Sequence, residues 1–314
     1  IFIINFTGRT MSECAIIVRT KNRNLLLNRA LNSIAKQTYS SWQVILVNDG
    51  GIVPEVDELV SAFLAKNNLS DDRVIVIHNN NSIGMEASSN IAIHNSKSKY
   101  VSLLDDDDTW EDSFLTTMIE FLESSNLYKA VACQAKMIEE KIEDQCIKII
   151  NSFVFNPNLL NINICDLLIC NRFTSHSFVY LREALKDVGV YDETLPVLGD
   201  WEFNLRFICR YDIKIIPIPM VNYHKRINLI NSSLDNTLHN VHHEYKSIII
   251  NKYIRNGLFS NDRIGLAILD AQNIHAGNSY WQNELNLIYN SLSWKITKPI
   301  RIITNILRKI KNRP

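Results

Sequence analysis

The chain has 314 residues, enough for one large domain with an appendage or for two modest ones, and 46% hydrophobic with 21% charged residues excludes global disorder. Lys plus Arg equals Asp plus Glu, but residues 291–314 hold seven Lys or Arg and no acid, which leaves −7 on residues 1–290. A neutral-to-acidic body with a basic tail is not the profile of a nucleic-acid binder, and no run of 18 apolar residues is present to cross a membrane. The six cysteines, at 14, 133, 146, 165, 170 and 209, form no C-x-x-C pair and no metal-ligand spacing, so they read as reduced thiols of a cytoplasmic protein. The first ten residues, IFIINFTGRT, lack a basic start before an apolar core and precede a Met; residues 1–11 are expected to be an extension, not a signal peptide.

Ala15–Val18 is a short apolar run of the kind buried on both faces of a sheet. After the polar turn Thr20–Asn24, Leu25, Leu26, Ala30, Leu31 and Ile34 recur at helical spacing. A second strand, Trp42–Val47, ends in Asn48-Asp49-Gly50-Gly51, and a helix follows from Pro54 to Lys66. Arg73–Ile77 reads as a third strand, Gly84–Ser96 as a helix and Tyr100–Leu104 as a fourth strand. Alternation at this spacing predicts right-handed βαβ units and a parallel sheet whose polar strand ends converge on one crevice, the place for a nucleotide.

The fourth strand runs into Asp105-Asp106-Asp107-Asp108. Four adjacent carboxylates cannot all be buried and ionised without compensating cations. At the carboxyl end of a parallel strand they suit Mg²⁺ or Mn²⁺ shared with nucleotide phosphates; the plain alternative is a solvated acidic loop. Neither a G-x-G-x-x-G after the first strand nor a G-x-x-x-x-G-K-[ST] is present, so phosphates must be held another way.

Beyond a helix at 111–124, Ala130–Ile138 and Ile147–Phe155 predict an antiparallel hairpin around the charged turn Glu139-Glu140-Lys141. Ser177–Leu181 reads as a strand, and 182–188 as a short helix ending at Gly189. Gly199-Asp200-Trp201 opens a helix in which an early carboxylate suits the dipole. Long helices are expected at 238–256 and 263–292. The last stretch sets Ile300, Ile303, Leu307 and Ile310 among basic residues behind Trp294, the composition of an interfacial membrane helix or of a helix packed on its own body.

Four blocks, in order, carry a family resemblance: IIVRTKNR with QTYSSWQVILVNDGG; IGMEASSNIAIHNSKSKYVSLLDDDDTW; LKDVGVYDETLPVLGDWEFNLRF; and the final strand with Tyr223-His224. From Cys14 to about Tyr223 the chain resembles the inverting family 2 glycosyltransferases of the GT-A fold, of the bacterial surface-polysaccharide type. The resemblance implies an α/β, Rossmann-like, mostly parallel sheet with helices on both faces, followed by a helical extension. It implies a GT-A domain at 12–230, a helical extension at 231–290 and a basic amphipathic tail at 291–314. The implied reaction moves a sugar from a nucleoside-diphosphate donor, UDP-linked by expectation, to a hydroxyl of a glycan or lipid-linked glycan at the inner membrane face.

Residue by residue, the resemblance implies Asp200 as general base. It assigns Arg19, Asn48, Asp49, Arg73, Asp105 and Asp106 to the nucleotide, and Asp107, Asp105 and His224 to Mn²⁺ or Mg²⁺. Asn48 stands where the family has Asp, and Gly199 where it has Glu; both departures leave open a non-catalytic scaffold, and a sugar nucleotidyltransferase is the other enzyme alternative. Trp201 is expected in the core or as an acceptor platform, and His176 near the acceptor side.

Overall fold

A computed structural model describes residues 12–143, 146–227 and 239–259, together with 286, 287 and 290. The predicted tail at 291–314, the extension at 1–11 and nearly all of the helix expected at 263–292 lie outside the described residues. Residues up to Lys252 form one compact unit and those from Tyr253 a second.

In chain order the elements are β1 (Cys14–Thr20), α1 (Asn24–Ala35), β2 (Trp42–Asp49), α2 (Val53–Lys66), β3 (Val74–Asn79), α3 (Met85–His94), β4 (Tyr100–Asp105), β5 (Thr109–Trp110) and α4 (Phe114–Ser124). They continue with β6 (Ala130–Glu143), β7 (Cys146–Phe155), α5 (Ile164–Ile169), β8 (Phe178–Leu181), α6 (Leu185–Val188), α7 (Gly199–Ile208), β9 (Ile213–Arg226) and α8 (His239–Phe259). Among the described residues the strands form a nine-stranded sheet in the order β3-β2-β1-β4-β8-β6-β9-β5, with β7 pairing β6 off that path.

The first four strands are all parallel. They read as apolar runs because both faces are covered. Cys14, Ile16, Val18, Val44 and Leu46 pack with Leu27, Leu31 and Ile34 of α1, Val56, Val60 and Phe63 of α2, and Met118, Ile119 and Leu122 of α4. The alternate residues Ala15, Ile17 and Ile45 are equally buried, on the side where α3 packs against β1 and β2. Each Leu or Ile so buried is worth about 1.5–3 kcal/mol. The order reverses at β1, whose neighbours are β2 and β4, and that switch point is where open α/β sheets bind ligands. Register aligns the strand ends there: Arg19 lies beside Asp105, Thr20 beside Asn48, and Asp49 beside Asn79.

Past β4 the sheet is mixed. β8 is antiparallel to both β4 and β6, while β9 returns parallel to β6. The hairpin expectation is corrected at its turn: β6 runs on to Glu143, so Glu139-Glu140-Lys141 lies within the strand. A short β5 on the edge, paired to β9 through Thr109–Asn222 and Trp110–Val221, precedes α4.

The segment carrying α7 is tied down at three points. Asn90 of α3 exchanges two hydrogen bonds of 2.9 Å with the Tyr191 backbone. Arg206 reaches back to the carbonyls of Val188 and Val190, and the Trp201 indole donates to Leu167 O at 2.8 Å. Trp201 is therefore a core residue. Leu198, just before α7, is held in the left-handed region at φ +64, a strained conformation for a side chain of this kind.

Candidate active site

Asp105 ends β4, and Asp106, Asp107 and Asp108 turn the chain towards β5, with the Asp108 amide donating to Asp105 O at 3.1 Å. This is no solvated loop: Asp106, Asp107 and Asp108 are only 4, 8 and 2% exposed. Each carboxylate has its own donors. Asp105 is held by Arg19 and by Ser175 Oγ at 2.8 Å. Asp106 accepts from Thr20 Oγ1 at 2.7 Å and Arg23 Nη1 at 3.3 Å. Asp107 is gripped by Arg226, with Arg23 at 3.4 Å. Asp108 accepts the His224 amide at 2.8 Å and faces His176 Nδ1 at 3.0 Å.

These environments separate the acids. Burial raises Asp105, but Arg19 and His176 bring it below the usual range. Burial and then the charge of Asp107 push Asp106 up to about 7, and the same two causes lift Asp108 well above its ordinary value. Protons retained on some members of the run limit the repulsion that four charges would create.

Among the described residues, one group brings metal-ligating atoms together: Asp105, Asp108 and His176, all within 4.8 Å of one another. Burial drops His176 to about 4, so the imidazole is neutral; its Nδ1 faces Asp108 and its Nε2 lies 3.4 Å from Thr174 Oγ1, the longer of the two contacts. Two carboxylates and one imidazole fit a hard divalent cation such as Mn²⁺ or Mg²⁺. Of the expected trio only Asp105 belongs to this group. Asp107 is taken by two arginines, and both His224 nitrogens are engaged, Nδ1 with Glu140 at 2.8 Å and Nε2 with Thr109 at 3.0 Å.

Behind the turn lies a buried ionic layer. Glu140, fully buried on β6, meets Arg29 Nη1 at 2.7 Å and His224, and Arg226 lies at 4.0 Å. Arg29 also donates to Asp107 O at 2.6 Å. The parallel register that sets Glu140 beside Arg226 places β6 and β9 under the carboxylates as a rigid support.

At the end of β2, Asp49 accepts four hydrogen bonds: Asn79 at 2.9 Å, Ser82 Oγ at 2.7 Å, and the amides of Ile83 at 2.9 Å and Gly84 at 3.1 Å. Burial acts against ionisation, yet these donors hold its carboxyl below the usual value. Asp49 thus fixes the loop that starts α3. Asn48 closes its own turn, bonding Gly51 N at 3.0 Å and Gly51 O at 3.1 Å, and touches His78 at 3.1 Å. Gly50 sits at φ +75, where a Cβ would come within 2.6 Å of Ser82 N. Arg73 is not brought to the crevice. It precedes β3, at the amino end of the sheet, stacked 3.6 Å over Trp42 and donating to Ser40 O at 2.7 Å.

Asp200 lies in the first turn of α7, partly exposed, and accepts from Asn171 Nδ2 at 2.7 Å. Burial raises its carboxyl to about 6, the Trp201 amide opposing and the Asp105 charge adding. The Asp105 charge reaches Asp200, so the two carboxyls lie near one another. Sequence reasoning missed Arg29, Glu140, Asn171, Ser175 and Arg226. For Glu140 a signal existed: Ile138, Glu140 and Ile142 alternate as a strand does.

The sequence profile of the family described as Glycosyl transferase family 2 matches residues 15–189. The chain belongs to that family. Among family relatives, the UDP-Glc:alpha-D-GlcNAc-diphosphoundecaprenol beta-1,3-glucosyltransferase WfaP of Escherichia coli is 26% identical over 118 residues, 38% of this chain and 44% of WfaP. The chain spans between 20% and 60% of the length of three other curated relatives it matches. Among solved structures, S. aureus TarS 1-349 in complex with UDP-GlcNAc superposes with a TM-score of 0.59 at 18% identity, covering 77% of this chain and 66% of that one. The mannosyltransferase PcManGT from Pyrobaculum calidifontis, in complex with GDP-Man and Mn²⁺, gives 0.58 at 16%, covering 94% and 84%. At such identities the likeness shows the fold, and it is the GT-A fold expected from the sequence.

Proposed function

We propose that this family 2 chain is an inverting glycosyltransferase that moves a sugar from a nucleoside-diphosphate donor, UDP-linked, to a hydroxyl of a growing bacterial surface glycan. The observation that carries the reading is Asp200, a carboxylate in the first turn of α7 held by Asn171 and raised by burial to about 6. Ionised at neutral pH and close to it in pKa, it is matched to a general base. The acceptor hydroxyl gives its proton to Asp200, its oxygen bonds to the anomeric carbon, and the bond to the nucleoside diphosphate breaks on the opposite face, which inverts the centre. Asn171 orients the carboxylate through its 2.7 Å hydrogen bond. Asp105, Asp108 and His176 would hold the divalent cation, which when bound offsets negative charge on the departing diphosphate. Arg19 and Arg23, at the end of β1 and the turn after it, are cations positioned to attract the diphosphate, and Asn48 and Asp49 shape the nucleotide side.

The UDP-sugars named for WfaP and for the TarS complex support a UDP donor, and WfaP's lipid-diphosphate acceptor supports a membrane-borne one. Among the described residues no helix is long and apolar enough to cross a membrane. We assign contact with the inner membrane face to the basic residues 291–314. Co-sedimentation with anionic lipid vesicles should be lost on deleting them; equal binding without them would exclude that role.

Calorimetric titration of UDP, GDP and TDP, with and without Mn²⁺, tests the donor site. One nucleotide should bind in a metal-dependent way, and Asp105→Ala should abolish the metal dependence. Folded protein that binds none of the three would remove the transferase reading and favour a scaffold.

A further inference from the structure

The resemblance to the family pattern breaks at Gly199, where a Glu is usual. The structure fills that place from another element. A Cβ on Gly199 would overlap Cδ and Oε1 of Glu86 and lie 2.6 Å from its Cγ. Glu86, in the first turn of α3, is 4% exposed, and its Oε2 is buried without a hydrogen-bond partner among the described residues. Arg19 Nη1 stands 4.0 Å away but donates to Ser89 Oγ at 3.1 Å, while Nη2 of Arg19 holds Asp105. Burial raises the Glu86 carboxyl; with Arg19 pulling it down and Asp200 and Asp105 pushing it up, it stands at about 7. At neutral pH such a group both donates and accepts hydrogen bonds.

A sealed polar oxygen without a partner is costly and uncommon. It lies between Arg19, which holds Asp105 on the donor side, and Gly199, the chain neighbour of Asp200 on the acceptor side. In a displacement at an anomeric carbon, the transferred sugar ring occupies the gap between those two sides. Among the described residues no hydrogen bond pins Oε2, which leaves it available to a ligand group.

We propose that Glu86 is a specificity-determining residue that receives a hydroxyl of the transferred sugar, from the space that Gly199 leaves open. The inference rests on the transferase reading above. Any side chain at Gly199 would then displace the sugar-binding carboxyl.

The test is a titration of UDP, UDP-glucose and UDP-GlcNAc, each with Mn²⁺, into wild type, Glu86→Ala, Glu86→Gln and Gly199→Ala. In wild type one UDP-sugar binds more tightly than UDP. In Glu86→Ala that preference falls at least tenfold while UDP itself binds as before, and Glu86→Gln, whose amide donates and accepts, keeps part of it. Gly199→Ala loses the same preference through displacement of the carboxyl, which keeps the test open should Glu86→Ala fail to fold. An unchanged preference in both alanine variants overturns the inference. So does a parallel loss of UDP, which would mark a structural role, or a wild type that prefers neither sugar nucleotide to UDP. A wild type that binds no nucleotide overturns the donor site itself, and this inference with it.

Discussion

Asp200 is expected to set the acid limb of the pH profile. Its carboxyl is raised to about 6, and the base acts only when ionised. The transfer rate should therefore fall about tenfold per pH unit below 6 and level off above it, as a pH series of kcat/KM would show. A profile flat down to pH 4 would mean that Asp200 is not the base. The same shift has a stability consequence of known sign. A carboxyl raised in the folded state favours folding at low pH, and that contribution is lost as pH rises from the unfolded value, about 3.9, through 6. Asp49 runs the other way. Its carboxyl is depressed by four donors, so its contribution is present above about pH 4 and lost as the pH falls.

Among the elements, the pair β6 and β9 carries the largest single stake. Glu140 joins Arg29 and His224 under the carboxylate turn with no exposure to solvent. Removing one partner of a buried ionic group leaves the others uncompensated, at a cost of about 3–5 kcal/mol. Glu140→Ala should lose stability on that scale in urea denaturation, with Glu140→Gln losing less. A change below about 1 kcal/mol would show that the layer is not closed in the folded chain. These elements also mark where the sequence was hard to read. The runs at 15–18, 42–47 and 100–104 were legible because strands buried on both faces are continuous apolar stretches with helices between them. Glu139-Glu140-Lys141 was not: three charges read as a turn, since the partners that let Glu140 be buried, Arg29 and His224, lie 111 and 84 residues away. The same distance hid the cation group. Asp105 stood out in the acidic run, but His176 joins it only because β8 is antiparallel to β4 and carries the preceding turn to the strand end. Arg73 illustrates the opposite error, since a residue that opens a parallel strand lies at the end away from the crevice.

For the molecule as a whole, one topological fact organises the chemistry. Strand order reverses at β1, so the ends of β1, β2 and β4 bring Arg19, Asp49 and the four aspartates together, and Gly199, next to Asp200 in α7, packs on Glu86 beside Arg19. In the proposed reading the parallel sheet builds the donor half and α7 carries the base, with the segment before α7 held by Asn90 and Arg206. The most direct test is release of UDP from a panel of UDP-sugars, with Mn²⁺, by wild type and by Asp200→Asn. Transfer to water or to an added glycan acceptor is expected in wild type, and a loss of about 10²–10⁴-fold in Asp200→Asn, the range for a positioned general base, with nucleotide binding intact. Equal release by the two proteins would contradict the assignment of Asp200 and the mechanism built on it.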